Sequence, residues 1–136
     1  ALLAEYKINL SGVKVLVIGR GMTVGRPLSI LLSQKPINAT VILAHSASKN
    51  LTDLIKDADV VIAAMGSAQF IKPEMVKKGS VLVDVGITRD GNQLVGDFDP
   101  KVIEVASAFA PMPGGVGPMT RVMLLKNVIE LARNEK

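Results

Sequence analysis

The junction between Val13-Lys14-Val15-Leu16-Val17-Ile18 and Gly19-Arg20-Gly21-Met22-Thr23-Val24-Gly25-Arg26-Pro27 limits the fold more than any other stretch of the chain. A short apolar run rich in valine reads as a buried strand. Glycines directly behind it allow a tight turn and a close backbone approach. Pro27 suits the first turn of a helix, where a missing N–H does no harm. A strand, a glycine-rich turn and a helix, in that order, form the phosphate-gripping unit of a dinucleotide-binding fold. The physical reason is that unpaired N–H groups and a partial positive charge stand at the helix N-terminus. The spacing is G-x-G-x-x-x-G, one residue longer than the usual fingerprint.

The same alternation continues to the end of the chain. Residues 1–8 read as helix and 9–12 as a turn. The helix behind the glycines carries Leu28, Ile30, Leu31 and Leu32 until Pro36 and Asn38 break it. A second strand is predicted over 40–43, and a helix over 51–57 with Asn50 as its cap. The third strand, 60–64, ends at Met65-Gly66. A brief helix over 73–76 is closed by Lys77, Lys78 and Gly79, and a fourth strand over 81–85 precedes Gly86. Asp90-Gly91 is the turn of a small hairpin returning through Leu94-Val95. Asp99 caps a helix with Pro100 at its first position, carrying Val102, Ile103 and Val105. A strand near 106–110 enters the Pro111–Pro118 loop, and a last helix starts at about Met119. This pattern predicts an α/β domain spanning 1–136, a doubly wound and mostly parallel sheet of the Rossmann-like, NAD(P)-binding kind.

Composition agrees and removes several function classes. With 136 residues, 49% apolar and 21% charged, the chain is one globular domain with a single core. No apolar stretch approaches the ~18 residues of a membrane span, and no basic-then-apolar leader is evident, so a cytoplasmic protein without a membrane partner is expected. There is no cysteine, and His45 is the one histidine. Disulfides, thiolate nucleophiles and cysteine- or histidine-rich metal sites therefore drop out, carboxylate sites alone stay open, and no metal is expected. The net charge of +4 does not point to nucleic acid, because the cations are scattered and aromatics make up only 3%. An anionic small molecule accounts for the charge more economically.

The tip of the second strand selects between the two nicotinamide dinucleotides. An Asp or Glu about 20 residues past the glycine turn binds a free ribose hydroxyl and repels a ribose phosphate. Here the tip reads Ala44-His45-Ser46-Ala47-Ser48-Lys49, and no carboxylate occurs between Glu5 and Asp53. Hydroxyls and a lysine stand where the acid would be, and Arg20 projects from the glycine turn. The expected cofactor is NADP, with Arg20 at its extra phosphate.

Pro111-Met112-Pro113-Gly114-Gly115-Val116-Gly117-Pro118-Met119-Thr120 is too unusual for a simple connector. Three prolines and three glycines make a rigid backbone that a planar ligand can approach closely. In order along the chain stand Gly19-Arg20-Gly21-x-x-Val24-Gly25-x-Pro27, His45-Ser46, Asp84-Val85-Gly86-Ile87, Gly96-Asp97 and Pro113 to Thr120. Together they resemble the cofactor-binding half of methylenetetrahydrofolate dehydrogenase/cyclohydrolase over essentially the whole chain.

The resemblance implies roles for the matching positions. Gly19, Arg20, Gly21 and Ser46 would hold the cofactor, Ile87 would contact its nicotinamide end, and the residues from Pro113 to Thr120 would border the nicotinamide and the folate cleft. The cofactor-binding set then also includes Val24, Gly25, Pro27, His45, Ala64, Gly66, Gly86 and Thr120, and the substrate-cleft set Pro113, Gly114 and Gly117. Gly21 departs from the family, which usually has serine there.

The resemblance further implies an oxidoreductase and hydrolase of one-carbon metabolism serving purine biosynthesis, with tetrahydrofolate one-carbon derivatives as substrates and a homodimeric assembly. Hydride passes from methylene-tetrahydrofolate to NADP, and the methenyl product is hydrolysed to formyl-tetrahydrofolate. The family's catalytic tyrosine is followed four residues later by a lysine, in an N-terminal domain. Tyr6 is the one tyrosine here and Leu10 stands four residues on, so no catalytic residue is expected in this chain. The expectation is a half-enzyme that lacks its N-terminal catalytic domain, with the helix over 119–136 packing on that domain. Asp84, Asp97 and Asp99 read as a strand end, a loop residue and a helix cap. Two other readings remain open: a non-catalytic dinucleotide-binding or regulatory module, and an NADP dehydrogenase for another substrate, against which the proline-glycine loop counts.

Overall fold

The computed structural model describes residues 1–134. The chain runs through α1 (Leu2–Glu5), β1 (Lys14–Ile18), α2 (Gly25–Ser33), β2 (Thr40–Ala44), α3 (Leu51–Asp57), β3 (Val60–Ala63) and a 3-10 turn (Pro73–Met75). It continues through β4 (Val81–Asp84), β5 (Thr88–Asp90), β6 (Gln93–Val95), a second 3-10 turn (Pro100–Glu104), β7 (Ala108–Ala110) and α4 (Val116–Asn134). Five strands form one parallel sheet in the order β2-β1-β3-β4-β7, and β5 and β6 pair antiparallel as a separate hairpin.

Each central strand is buried on both faces, which is why these strands read as unbroken apolar runs. Leu16, Ile18, Val61, Ala63 and Leu82 face α3, where they meet Ile55, Ile71, Phe98 and Val102. Val15, Val17, Val60, Ile62 and Val83 face the other way, against Leu32 of α2, Leu10 and Ala39. Phe98 and Phe109 add an edge-to-face aromatic pair, with ring centroids 5.7 Å apart.

Several element limits differ from the sequence expectation, each for a local reason. α1 stops at Glu5 rather than Ile8 because Lys7 turns left-handed, at φ 55°, and the Ile8 N–H returns to the Leu3 carbonyl. α2 ends at Ser33, where Gln34 becomes extended, and Ile30 and Leu31 lie exposed. Asn50 stands at the N-cap of α3, but in a left-handed conformation, and its side chain makes no capping bond. The helices expected behind Lys72 and Asp99 are 3-10 in form, over Pro73–Met75 and Pro100–Glu104. Asp99 does cap its turn, accepting from the Lys101 N–H at 3.0 Å, while Ile103 is exposed.

α4 begins at Val116, so Gly117 and Pro118 belong to its first turn rather than to the preceding loop. Residues 135–136 of the helix expected over 119–136 lie outside the described residues. Among the described residues, no helix is long and apolar enough to cross a membrane. No cluster of three metal-ligating side chains occurs among them either.

Candidate functional site

The strand order itself creates a crevice. The chain leaves β1 through α2 to reach β2 on one side, then passes through α3 to β3 on the other side of β1. In open parallel sheets the connections diverge at such a point, and ligands bind outside the carboxyl ends of the two strands. Register sets Ile18, Ala44, Ala63 and Asp84 level with one another. Gly19, His45, Ala64 and the Val85-Gly86 pair therefore emerge side by side along one edge. The Gly19 N–H donates to the Ala44 carbonyl at 2.9 Å, and the Ala64 N–H donates to that of Ile18 at 2.8 Å.

Two of the three loop glycines are required by backbone packing. Gly19 has φ +114°, and a Cβ there would collide with the Ala64 carbonyl. Gly25 is buried, and a Cβ on it would overlap the Gly19 carbonyl and stand 3.1 Å from the Arg20 Cα. These contacts press the start of α2 onto the turn and the turn onto the end of β3. Gly21 differs, since a Cβ on it meets nothing within 4 Å and its φ is not left-handed. α2 opens with Val24 as an apolar N-cap, without a side-chain capping bond and without an acidic residue in its first turn. The positive end of its dipole is left uncompensated at the glycine turn, as an anion site requires.

The tip of β2 is organised by its own side chains. The His45 N–H donates to Ser48 Oγ at 3.0 Å, and the Ala47 N–H donates to His45 Nδ1 at 3.3 Å. His45 therefore shapes the turn, and its neutral form carries the proton on Nε2. Ser46 and Arg20 are exposed on neighbouring strand tips. No carboxylate stands at this tip, because Asp53 lies inside α3.

The third wall of the crevice rests on a feature that sequence reasoning missed. Asp97 is completely buried, and its carboxylate accepts three backbone N–H groups from the loop after β3. Met65 donates at 2.6 Å, Gly66 at 3.3 Å and Ser67 at 2.7 Å. Asp84, buried at the end of β4, accepts the N–H groups of Asp97 at 2.9 Å and Phe98 at 3.1 Å. Burial pushes the Asp84 carboxyl up to about 6, against the pull of the Asp97 and Phe98 N–H groups. The signal was present in the sequence as two acids each within two residues of a glycine, Asp84-Val85-Gly86 and Gly96-Asp97. Periodicity cannot detect such a pair.

The remaining site residues divide between two places. Ala64, Gly66 and Gly86 lie at the β3 and β4 tips beside the crevice, with Ile87 exposed where the chain enters the hairpin. Val24, Pro27 and Thr120 line an apolar groove of about 660 Å³ on the α2 face of the sheet. The Thr120 hydroxyl donates back to the Val116 carbonyl at 3.1 Å. Gly114 borders a second groove of about 810 Å³ between α1, β7 and the start of α4, while Pro113 and Gly117 are exposed. The structure thus gathers the glycine turn, the β2 tip and the β3 and β4 loops into one crevice. The proline-glycine segment borders the separate groove by α1 and β7.

The sequence model of the tetrahydrofolate dehydrogenase/cyclohydrolase NAD(P)-binding domain matches residues 1–136. Among solved structures, the bifunctional methylenetetrahydrofolate dehydrogenase/cyclohydrolase of Campylobacter jejuni is 40% identical with a TM-score of 0.93, the match covering 98% of this chain and 48% of that one. A 5,10-methylenetetrahydrofolate dehydrogenase from the silkworm Bombyx mori is 37% identical with a TM-score of 0.91, over 98% and 49% of the two chains. The dehydrogenase-cyclohydrolase of Trypanosoma brucei, complexed with NADP cofactor and inhibitor, is 35% identical with a TM-score of 0.89, over 98% and 48%. The chain spans about half the length of each.

Proposed function

Since the chain belongs to the tetrahydrofolate dehydrogenase/cyclohydrolase family as its NAD(P)-binding domain, we propose that it binds NADP in the β1/β3 crevice as the cofactor half of such an enzyme. The observation that carries this reading is that exposed Ser46 at the β2 tip and exposed Arg20 at the neighbouring β1 tip stand where an acid would select NAD. The residues present fit the group. An uncompensated helix N-terminus and a glycine turn free of Cβ atoms suit a pyrophosphate, and cationic and hydroxyl side chains suit a ribose phosphate. When bound, the cofactor supplies a hydride acceptor for methylene-tetrahydrofolate, whose methenyl product is then hydrolysed to formyl-tetrahydrofolate.

The chain's own share is positioning. Backbone contacts at Gly19 and Gly25 set how deeply the cofactor lies, Arg20 and Ser46 fix its adenosine end, and Gly86 with Ile87 border the other end. Small displacements of a reacting centre cost large factors in rate, which makes this rigidity the useful property. The acids of the crevice, Asp84 and Asp97, are already engaged by backbone N–H groups. Both are buried and hold loop backbone rather than facing open space, which supports a catalytic acid–base pair on another domain. α4 exposes Leu124, Leu125, Val128 and Leu131, and an apolar helix of this kind is suited to pack on that domain. The same reading makes the protein a cytoplasmic homodimer, with the exposed apolar Phe70 and Leu94 as support for self-association.

Calorimetric titration with NADP and NAD tests the proposal. The expected result is saturable binding of both, NADP the tighter, with no dehydrogenase turnover on methylene-tetrahydrofolate by this chain alone. Tighter binding of NAD would overturn the cofactor assignment, and turnover would overturn the division of labour.

A further inference from the structure

We propose that Asp97 is a positioning residue for the cofactor crevice: its carboxylate clamps the loop after β3, and Asp84 holds Asp97 from behind. A fully buried carboxylate needs full hydrogen bonding, and here the donors are the backbone of a single loop. Asp97 Oδ2 accepts from Met65 and Gly66, and Oδ1 accepts from Ser67. That loop begins immediately after Ala64, whose carbonyl is packed against Gly19. Any looseness in residues 65–67 is therefore transmitted to the wall that faces the glycine turn.

The clamp is built from both sides. A Cβ on Gly86 would run into the Asp97 carboxylate, and a Cβ on Gly96 would run into that of Asp84. Each acid thus occupies the space left by the glycine beside the other. The Asp97 N–H donates to Asp84 Oδ1 at 2.9 Å, which fixes the backbone from which the clamping carboxylate projects. Three loops meet at this interlock: the tip of β3, the tip of β4, and the return from the β5–β6 hairpin. All of the acceptor capacity used is directed at main chain, which separates this role from ligand binding or proton transfer.

The inference rests on the reading of the crevice as the cofactor site, and the test keeps the two apart. Amide hydrogen exchange in the wild-type chain comes first. Gly66 and Ser67 are exposed, yet their N–H groups should exchange at least about tenfold more slowly than those of an open loop. The variant Asp97→Asn keeps the shape, loses one acceptor oxygen and turns an NH2 toward the donors. Exchange at residues 65–67 should accelerate while Leu16 and Val61 stay protected, and the affinities for NADP and NAD should fall together, by about tenfold or more, leaving their ratio unchanged.

Unprotected Gly66 and Ser67 amides in the wild type would overturn the clamp without any variant. A released loop with unchanged NADP affinity would overturn the positioning role. Protected amides in a wild-type chain that binds no dinucleotide would instead refute the cofactor reading and leave the clamp standing.

Discussion

At the scale of single residues, the loop glycines separate into two kinds. Gly25→Ala forces a methyl group onto the Gly19 carbonyl, and a loss of roughly 2 kcal/mol or more in urea unfolding is expected from such overpacking. Gly21→Ser meets open space, so its unfolding free energy should stay within about 0.5 kcal/mol of wild type. Arg20→Ala removes a charged hydrogen-bond donor contributing roughly 1.5–3 kcal/mol, so NADP affinity should fall about ten- to hundredfold while NAD affinity hardly moves. An unchanged NADP/NAD ratio in paired titrations would remove Arg20 from the phosphate site.

Asp84 supplies a prediction in pH. Its carboxyl titrates near 6 in the folded chain against an ordinary value of 3.8, so the native state holds this proton more tightly than the unfolded chain does. The stabilising contribution is complete below about 4 and is lost as pH rises through about 6. Asp59 and Asp99, whose carboxyls are lowered by hydrogen bonds from Lys77 and from the Lys101 backbone respectively, act in the opposite sense. Unfolding free energies of wild type minus Asp84→Asn, measured across pH 4–7, isolate the one group. The difference should decline as pH rises.

Among the elements, those with a clear period or an apolar run were legible: β1 to β4, the hairpin, and α3 to its last residue. Both 3-10 turns were expected as helices because proline and a cap mark where a helix begins and not how far it continues. The start of α4 was misplaced for a related reason. Glycine and proline suggested loop from 116 to 118, yet the Gly115 N–H closes onto the Pro111 carbonyl at 2.8 Å and Pro118 is tolerated in a first turn, where its N–H is not needed. The Asp84–Asp97 interlock left only a faint mark, two acids near glycines, because it joins loops distant in sequence through main-chain donors. α4 also carries a test of its own. Leu125 is 65% exposed, so Leu125→Glu should leave the stability of this chain within about 0.5 kcal/mol. A larger loss in thermal or urea unfolding would mean that the helix already packs on its own domain.

Across the whole molecule, the strand order places the crevice, and the sequence had indicated the doubly wound class; of the expected site residues, the glycine turn, the β2 tip and the β3 and β4 loops meet there, while Val24, Pro27 and Thr120 line a separate groove. What the sequence could not indicate was how rigidly the crevice is made. Gly19 against Ala64, Gly25 against Gly19, and Asp97 against residues 65–67 all engage main chain. Arg20 and Ser46 stand apart, as side chains on exposed tips. Grip and choice are consequently inherited separately. On the proposed reading, exchanges at the exposed tips alter the choice while the main-chain contacts that make the grip stay in place. A lineage carrying this scaffold can change its dinucleotide without passing through a misfolded ancestor, and an engineer can follow the same route.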